Sequence, residues 1–317
     1  MDENLTIVTA FYNIGRDKLQ NCKRTNEEYL SYFDFWAGIK NRVIIYTTED
    51  LKQQILDIRQ KHGLKEKTVI ITKNFDEFDQ DALNKIRNTF SKYNQSLHRK
   101  YPDNIECKSP EYCYLMYLKP FFVCDAIEKK LTNKDILWLD FGFNHKDDFF
   151  TNKNQFNFYL KKQELIDEKK MNFFSIATNH NDSLAHIYFS MEVSIIGSIL
   201  FGNQHSWNRF KEHFKESLSN FISFNIIDDD QPMLIWCYRN YPEYYNSIKT
   251  NEWFGSLYNF IPKNIQNTLS FKRNKSKYYK LIKEEILLSR NQTFSKKIKL
   301  YFKYIYFKYI YKKNIEI

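Results

Sequence analysis

Glycine and proline are scarce in this 317-residue sequence, at seven and six, and no Ser/Gly/Pro-rich stretch marks a linker. With 43% hydrophobic residues the chain can bury a sizeable core. One compact domain with an appendage is therefore expected, not a string of small modules. Cysteine is also sparse: Cys22, Cys107, Cys113, Cys124 and Cys237 form no CxxC pair and no Cys/His block with zinc spacing. An odd number in a chain of this length points to reduced thiols and a cytosolic setting. No run of about eighteen apolar residues is present to span a bilayer. The opening MDENLTIV lacks the basic region and apolar core of a signal peptide. GxGxxG, the P-loop, HExxH and GxSxG are all missing, as are internal repeats of solenoid period. Dinucleotide-fingerprint, Walker-type, zincin and α/β-hydrolase readings thus have no support.

What is present is unevenly charged. From residue 271 to the end there are 14 Lys or Arg against 3 Glu, while the preceding 270 residues carry 34 basic and 35 acidic side chains. The net charge of +10 therefore belongs to the tail. The 18% aromatic content accompanies an abundance of Lys, Asn and Ile and by itself carries no argument.

The N-terminal half alternates strand and helix signals. LTIVTAFY (Leu5–Tyr12) is β-branched and aromatic and runs into the turn NIGRD. Thr25 and Glu28 have capping-box spacing ahead of a helix. RVIIYT (Arg42–Thr47) reads as a second strand, and EDLKQQILDIRQKHG as a helix ended by Gly63. TVIIT (Thr68–Thr72) reads as a third strand. The spacing predicts parallel β-α-β units. A polar helix is expected over Asp81–Ser96. PEYCYLMYLKPFFVCDAIEKK has helical apolar spacing that Pro120 should kink or divide. ILWL (Ile136–Leu139) reads as a buried strand and NFFSIAT (Asn172–Thr178) as another. MEVSIIGSILFGNQHSWNRFKEHF mixes a β-like run, two glycines and a helix.

Candidate chemistry gathers at few positions. Asp140 leaves the ILWL strand, with Gly142, Asn144 and His145 following. The carboxyl end of a central strand opens onto the crevice of an α/β sheet, and a hard cation takes one or two carboxylates there. Asp228, Asp229 and Asp230 with Gln231 precede a helix starting near Pro232. They read either as a solvated cap or as a carboxylate whose neighbours raise its pKa toward that of a general base. Gly197 and Gly202 read as packing glycines or as places where backbone approaches a sugar. Arg16 and Lys18 suit phosphate. Lys119 stands beside Pro120 in an apolar helix; unpaired lysines are seldom buried, and it is expected to snorkel. The histidines show no metal-ligand spacing and no Cys–His pair suggests a nucleophile.

The ordered stretches TIVTAFYNIGR, EYCYLMYLKPFFVCDAI, WLDFGFNH, the glycine pair with HSWNRF, and DDDQPMLIWCYRNYP followed by EWF resemble the WlaTC/HtrL (YibB-like) family of bacterial glycosyltransferases. The likeness runs from about residue 5 to residue 260. It implies an α/β, GT-A-like, Rossmann-type nucleotide-sugar-binding domain over residues 1–268, with a helical basic extension over 269–317. It further implies a nucleotide-sugar donor, with UDP as the expected nucleotide, and a bacterial surface glycan such as lipooligosaccharide or capsule as acceptor. Thr9, Ala10, Phe11, Tyr12, Arg16, Lys119, Asp140, Gly142 and Gly197 would bind donor, and Asp229, Asp230 and Gln231 would lie at the transferred sugar as catalytic groups. LDFG stands where GT-A enzymes carry Asp-x-Asp, but Gly142 replaces the second aspartate. A divalent cation (Mn²⁺ or Mg²⁺) at Asp140 is thus an expectation that the motif only half meets.

In the tail, FKYIY occurs twice, at 302–306 and 307–311. In KKIKLYFKYIYFKYIYKK the lysines do not fall on one face at about 100° per residue, so no tidy amphipathic helix is expected. Lysines and tyrosines interleaved with Ile, Leu and Phe still suit an anionic membrane interface, which predicts a peripheral position on the inner face of the cell membrane. A near-neutral body without a nucleic-acid module argues against nucleic acid as a partner.

Overall fold

The computed structural model describes residues 5–19, 23–145, 149–176, 182–250, 252–273, 286, 294–306, 309 and 315–316. Seven strands form one sheet: β1 (Leu5–Ala10), β2 (Arg42–Thr47), β3 (Thr68–Thr72), β4 (Asp135–Leu139), β5 (Met171–Ser175), β6 (Ile195–Asn203) and β7 (Tyr245–Lys249). Their order is β3-β2-β1-β4-β6-β5-β7. β3, β2, β1 and β4 run parallel, as the β-α-β spacing predicts. β6 is antiparallel to both β4 and β5, and β7 is parallel to β5. Nothing in IIGSILFGN announces that reversal, because a strand covered on both faces is apolar throughout in either direction.

Alternation decides which side chains meet which layer. Ile7, Leu137 and Leu139 face one apolar layer with Phe33, Trp36 and Phe201. Val8, Ile136 and Trp138 face the other with Phe122, Leu200 and Trp207. Burial on both sides is the physical reason for the unbroken ILWL run. Helices α1 (Asn26–Trp36) and α2 (Glu49–Lys61) pack together. α3 (Gln80–Lys92), α4 (Pro110–Tyr117), α5 (Lys119–Glu128), α6 (Leu184–Ser190), α7 (Gln204–Ser223) and α8 (Asp230–Asn240) follow in the chain. A short α9 (Lys263–Gln266) closes the body, and α10 (Phe294–Ile305) lies in the tail.

Local signals explain several boundaries. Thr25 and Glu28 form the capping box, each accepting from the other's backbone N–H. Gly63, at φ +69°, ends the turn after α2. The apolar helix around Pro120 is divided at Leu118, whose carbonyl accepts from both Phe121 and Phe122. Cys107, Cys113, Cys124 and Cys237 are buried free thiols, and Cys22 lies outside the described residues.

α10 corrects the reading of the tail as lacking an amphipathic face. At about 100° per residue, Ile298, Tyr301, Phe302 and Ile305 fall on one side and Lys299 and Lys303 on the other. Projected over the whole tail, a five-residue repeat drifts by about 140° per copy, which scatters its lysines. A helix of 12 residues ends before that drift matters. Among the described residues no helix is long and apolar enough to cross a membrane.

One buried cation ties α2 to the sheet. Arg59 is fully buried and donates to the carbonyls of Ala37, Ile39 and Asn41 and to Thr68 Oγ1, at 2.6–3.1 Å. Burial pushes its pKa down to about 10, so the guanidinium remains charged at neutral pH. Arg59→Leu strands these acceptors and should lower the unfolding free energy in urea by about 3 kcal/mol. An unchanged midpoint would show that the carbonyls do not depend on it.

Candidate functional site

A cavity of about 470 Å³ opens at the carboxyl ends of β1 and β4. The chain leaves β1 toward β2 and β3 on one side, and β4 lies on the other, which makes this the switch point where an open α/β sheet leaves a crevice. Ala10, Phe11 and Tyr12 enter it from β1, and Asp140, Phe141 and Gly142 from β4. Phe11 stacks on Phe141 at 4.8 Å and Phe141 on Phe33 at 4.5 Å, so the wall between the two strand ends is aromatic and anchored in the core. Gly142 lets Tyr29 approach: a Cβ there would stand 3.2 Å from the ring.

Basic groups collect at this cavity. Arg16, Lys23 and Arg24 line it. Arg16 donates to Tyr29 Oη at 2.6 Å and lies 5.6 Å from the Tyr112 ring, while Arg24 lies 6.0 Å from the Tyr29 ring. The carboxylates lining it are Glu106 and Asp140.

Beneath the cavity, Lys119 is 2% exposed. Its ammonium donates to Gly197 O at 2.8 Å and Asp230 Oδ2 at 2.5 Å and pairs with Asp140 Oδ1 at 3.0 Å. Burial alone would lower its pKa, but Asp140 and Asp230 together hold it above the ordinary lysine value. Trp138 Nε1 also donates to Asp140 Oδ1, at 2.7 Å. The expectation that Lys119 snorkels is therefore corrected: both carboxylates meet it inside the protein, so its head has no need to reach water. Gly197 makes this arrangement possible, since a Cβ at that position would overlap the Asp230 carboxylate. Its role here is packing and a carbonyl.

The acidic cluster divides three ways. Asp228 accepts from Arg99 Nη2 with both oxygens at 2.9 Å, and burial raises its pKa to about 6. Asp229 is the N-cap of α8, accepting from the Gln231 N–H at 3.0 Å and from Gln231 Nε2 at 3.3 Å. Burial, then the charges of Asp228 and Asp230, push Asp229 well above the carboxylate range. Asp230 holds Lys119. None of Asp229, Asp230 and Gln231 is among the cavity-lining residues, and neither are Thr9, Lys119 and Gly197. Ala10, Phe11, Tyr12, Arg16, Asp140 and Gly142 are.

Ser198, Lys23, Arg24, Glu106 and Trp253 line the cavity without having been singled out in the sequence. Ser198 is 4% exposed, and its hydroxyl has no hydrogen-bond partner among the described residues, which suits a ligand group. A lone serine inside IIGSIL carries no pattern that would mark it.

One oxygen of Asp140 is already engaged where a divalent cation would need a ligand. Mg²⁺ and Mn²⁺ take oxygen ligands, whereas Asp140 Oδ1 is engaged by an ammonium and an indole N–H, and Asp230 by the same ammonium. Among the described residues, Asp182, His186 and Glu192 bring possible ligand atoms within 4.8 Å of one another. None of them lines the cavity.

Fold and site together define an α/β protein with a cleft at the sheet's switch point, floored by a lysine locked between two carboxylates. The chain belongs to the HtrL_YibB family, described as bacterial protein of unknown function, whose profile matches residues 3–262. The resemblance read from the motifs is borne out. The chain is 30% identical over 268 residues to Protein HtrL of Escherichia coli (strain K12), spanning 80% of this chain and 91% of that protein. Among solved structures it is similar to mouse xyloside xylosyltransferase 1, apo form, at 7% identity and a TM-score of 0.40, over 76% of this chain and 84% of that one. So distant a superposition lends no weight to any activity.

Lys119→Met removes the shared cation and leaves two carboxylates facing each other, at an expected cost of about 3–5 kcal/mol. The double variant Lys119→Met/Asp230→Asn should recover part of that loss in the same urea titration. A neutral single substitution would mean that the carboxylates find other partners.

Proposed function

We propose that this protein is a glycosyltransferase of GT-A-like architecture that takes a nucleotide-sugar, with UDP as its nucleotide, in the cleft between β1 and β4. The acceptor on this reading is a bacterial surface glycan or glycolipid such as lipooligosaccharide or capsule. The observation that carries it is the cleft itself: a switch-point crevice with aromatic rings on one wall, three cationic side chains in its lining and an aspartate at the end of a central strand.

The chemistry asks for these parts. Glycosyl transfer builds positive charge on the sugar ring and negative charge on the departing diphosphate. Arg16, Lys23 and Arg24 supply charge for the diphosphate, and the rings of Phe11, Tyr29 and Tyr112 offer surfaces to a base. Ser198 offers a hydroxyl to the ligand. Asp140 lies where it can meet the donor sugar, while Asp230 acts through Lys119. Asp229 and Gln231 are occupied in starting α8. Thr9 and Gly197 support the cleft from behind on this reading.

A second reading is a nucleotide-sugar or glycan binder without turnover, favoured by the engagement of Asp140 Oδ1 with Trp138 and Lys119. Hydrolysis of UDP-sugars separates the two. Asp140→Ala and Asp230→Ala should each reduce turnover by about 100-fold while leaving far-UV circular dichroism unchanged. Full activity in either folded variant would remove that residue from the mechanism, and no turnover alongside intact UDP binding would favour the binder.

The tail supports a peripheral position on the inner face of the cell membrane. In α10 Tyr301 is 54% and Phe302 70% exposed, on the side away from Lys299 and Lys303. An apolar stripe flanked by lysines fits an anionic lipid surface. Deleting Phe294–Ile317 should release the protein from vesicles containing phosphatidylglycerol, and co-sedimentation at the wild-type level would refute this.

A further inference from the structure

The proposed transfer needs a cationic environment for a diphosphate, and nature's common device at such a strand end is a divalent ion bridging carboxylate and phosphate oxygens. The present chain occupies one oxygen of each carboxylate with its own side chain. Lys119 Nζ has three acceptors, Gly197 O, Asp230 Oδ2 and Asp140 Oδ1, at 2.5–3.0 Å. An ammonium has three N–H donors, so this set saturates it. The Asp140 oxygen that meets Lys119 also accepts from Trp138. Gly142 leaves no second carboxylate two residues on, and a side chain there would press on Tyr29.

We infer that Lys119 is a built-in replacement for the divalent ion, and that the cleft binds a nucleoside diphosphate without a metal. The ligand, though not the geometry, rests on the nucleotide-sugar reading. Lys119, Asp140 and Asp230 together carry a formal charge of −1, so the lysine is spent on its own two carboxylates and has no charge to lend the diphosphate. That task falls to Arg16, Lys23 and Arg24, three cations against Glu106 at the same cavity. A nucleoside diphosphate is therefore held from the rim by guanidinium and ammonium groups, over a floor whose two carboxylates share one internal cation.

The test separates cage from ligand. Free Mn²⁺ is followed by its electron paramagnetic resonance signal in a His186→Ala/Glu192→Ala background, which removes the surface group of possible ligands. The Lys119-intact protein should leave the signal unchanged. Adding Lys119→Met should deplete it and should make the melting temperature rise with Mn²⁺, and further adding Asp140→Asn should restore the signal. Depletion of Mn²⁺ by the Lys119-intact protein, abolished by Asp140→Asn, overturns the proposal even if Lys119→Met fails to fold. In a parallel arm, UDP affinity by calorimetry should agree within twofold in EDTA and in Mn²⁺, and a tenfold gain with Mn²⁺ also overturns it. If UDP binds in neither condition, the nucleotide reading fails and metal-free diphosphate binding fails with it, while the Mn²⁺ arm still decides whether Lys119 replaces the ion.

Discussion

An ammonium sealed from water must find every hydrogen bond inside the protein, and Lys119 finds three. Each comes from a different element. Asp140 follows β4, Gly197 lies within β6, and Asp230 opens α8. The contacts to Gly197 and Asp230 join positions 78 and 111 residues apart in sequence. Losing one partner leaves a buried charge uncompensated, so the three elements are fixed relative to one another at the cleft floor. The charge is expensive to bury, and that expense is what makes the geometry specific: few other arrangements of β4, β6 and α8 would satisfy it.

The backbone around this point is shaped to admit it. Pro120 cannot continue a helix from α4, and the break at Leu118 sets Lys119 at the first position of α5. Gly197 gives up its side chain to the Asp230 carboxylate. Asp229 caps α8 one residue before the pair forms, so the cluster of three aspartates is spread over an arginine, a helix cap and a lysine. Three adjacent carboxylates are thereby given different partners, while the charges of Asp228 and Asp230 still act on Asp229 between them.

Much of the framework is local and so was legible in the sequence. The capping box at Thr25 and Glu28, the strands over Arg42–Thr47 and Thr68–Thr72, and the division of the helix ahead of Pro120 all depend on neighbours a few residues away. Asp140 at the rim of the cleft followed from its place after a buried strand. The direction of β6 did not, because apolar residues do not encode strand sense when both faces are covered. Nor did the fate of Lys119: a lone lysine in an apolar helix snorkels or finds a partner according to what distant segments bring to it. Ser198 and the grouping of Asp182, His186 and Glu192 are tertiary in the same sense. The tail misled for a different reason, since a repeat of five residues has no face over its full length but has one over a helix of 12.

Charge is partitioned in a way that connects these observations. The body is close to neutral, yet Arg16, Lys23 and Arg24 are concentrated at one cavity. Surface cations spread at random would add little to any one ligand, because salt screens exposed charges beyond about 10 Å. Gathered at a cleft with aromatic walls, they act at short range and in a poorer dielectric, where each charge counts for more. The cleft floor is complementary to this rim. Its own cation is consumed by two carboxylates, so it offers a fixed surface and no further attraction for anions. On the proposed function, anion capture falls to the rim and positional precision to the floor, and a ligand that carries both a diphosphate and a polar ring would use the two at once.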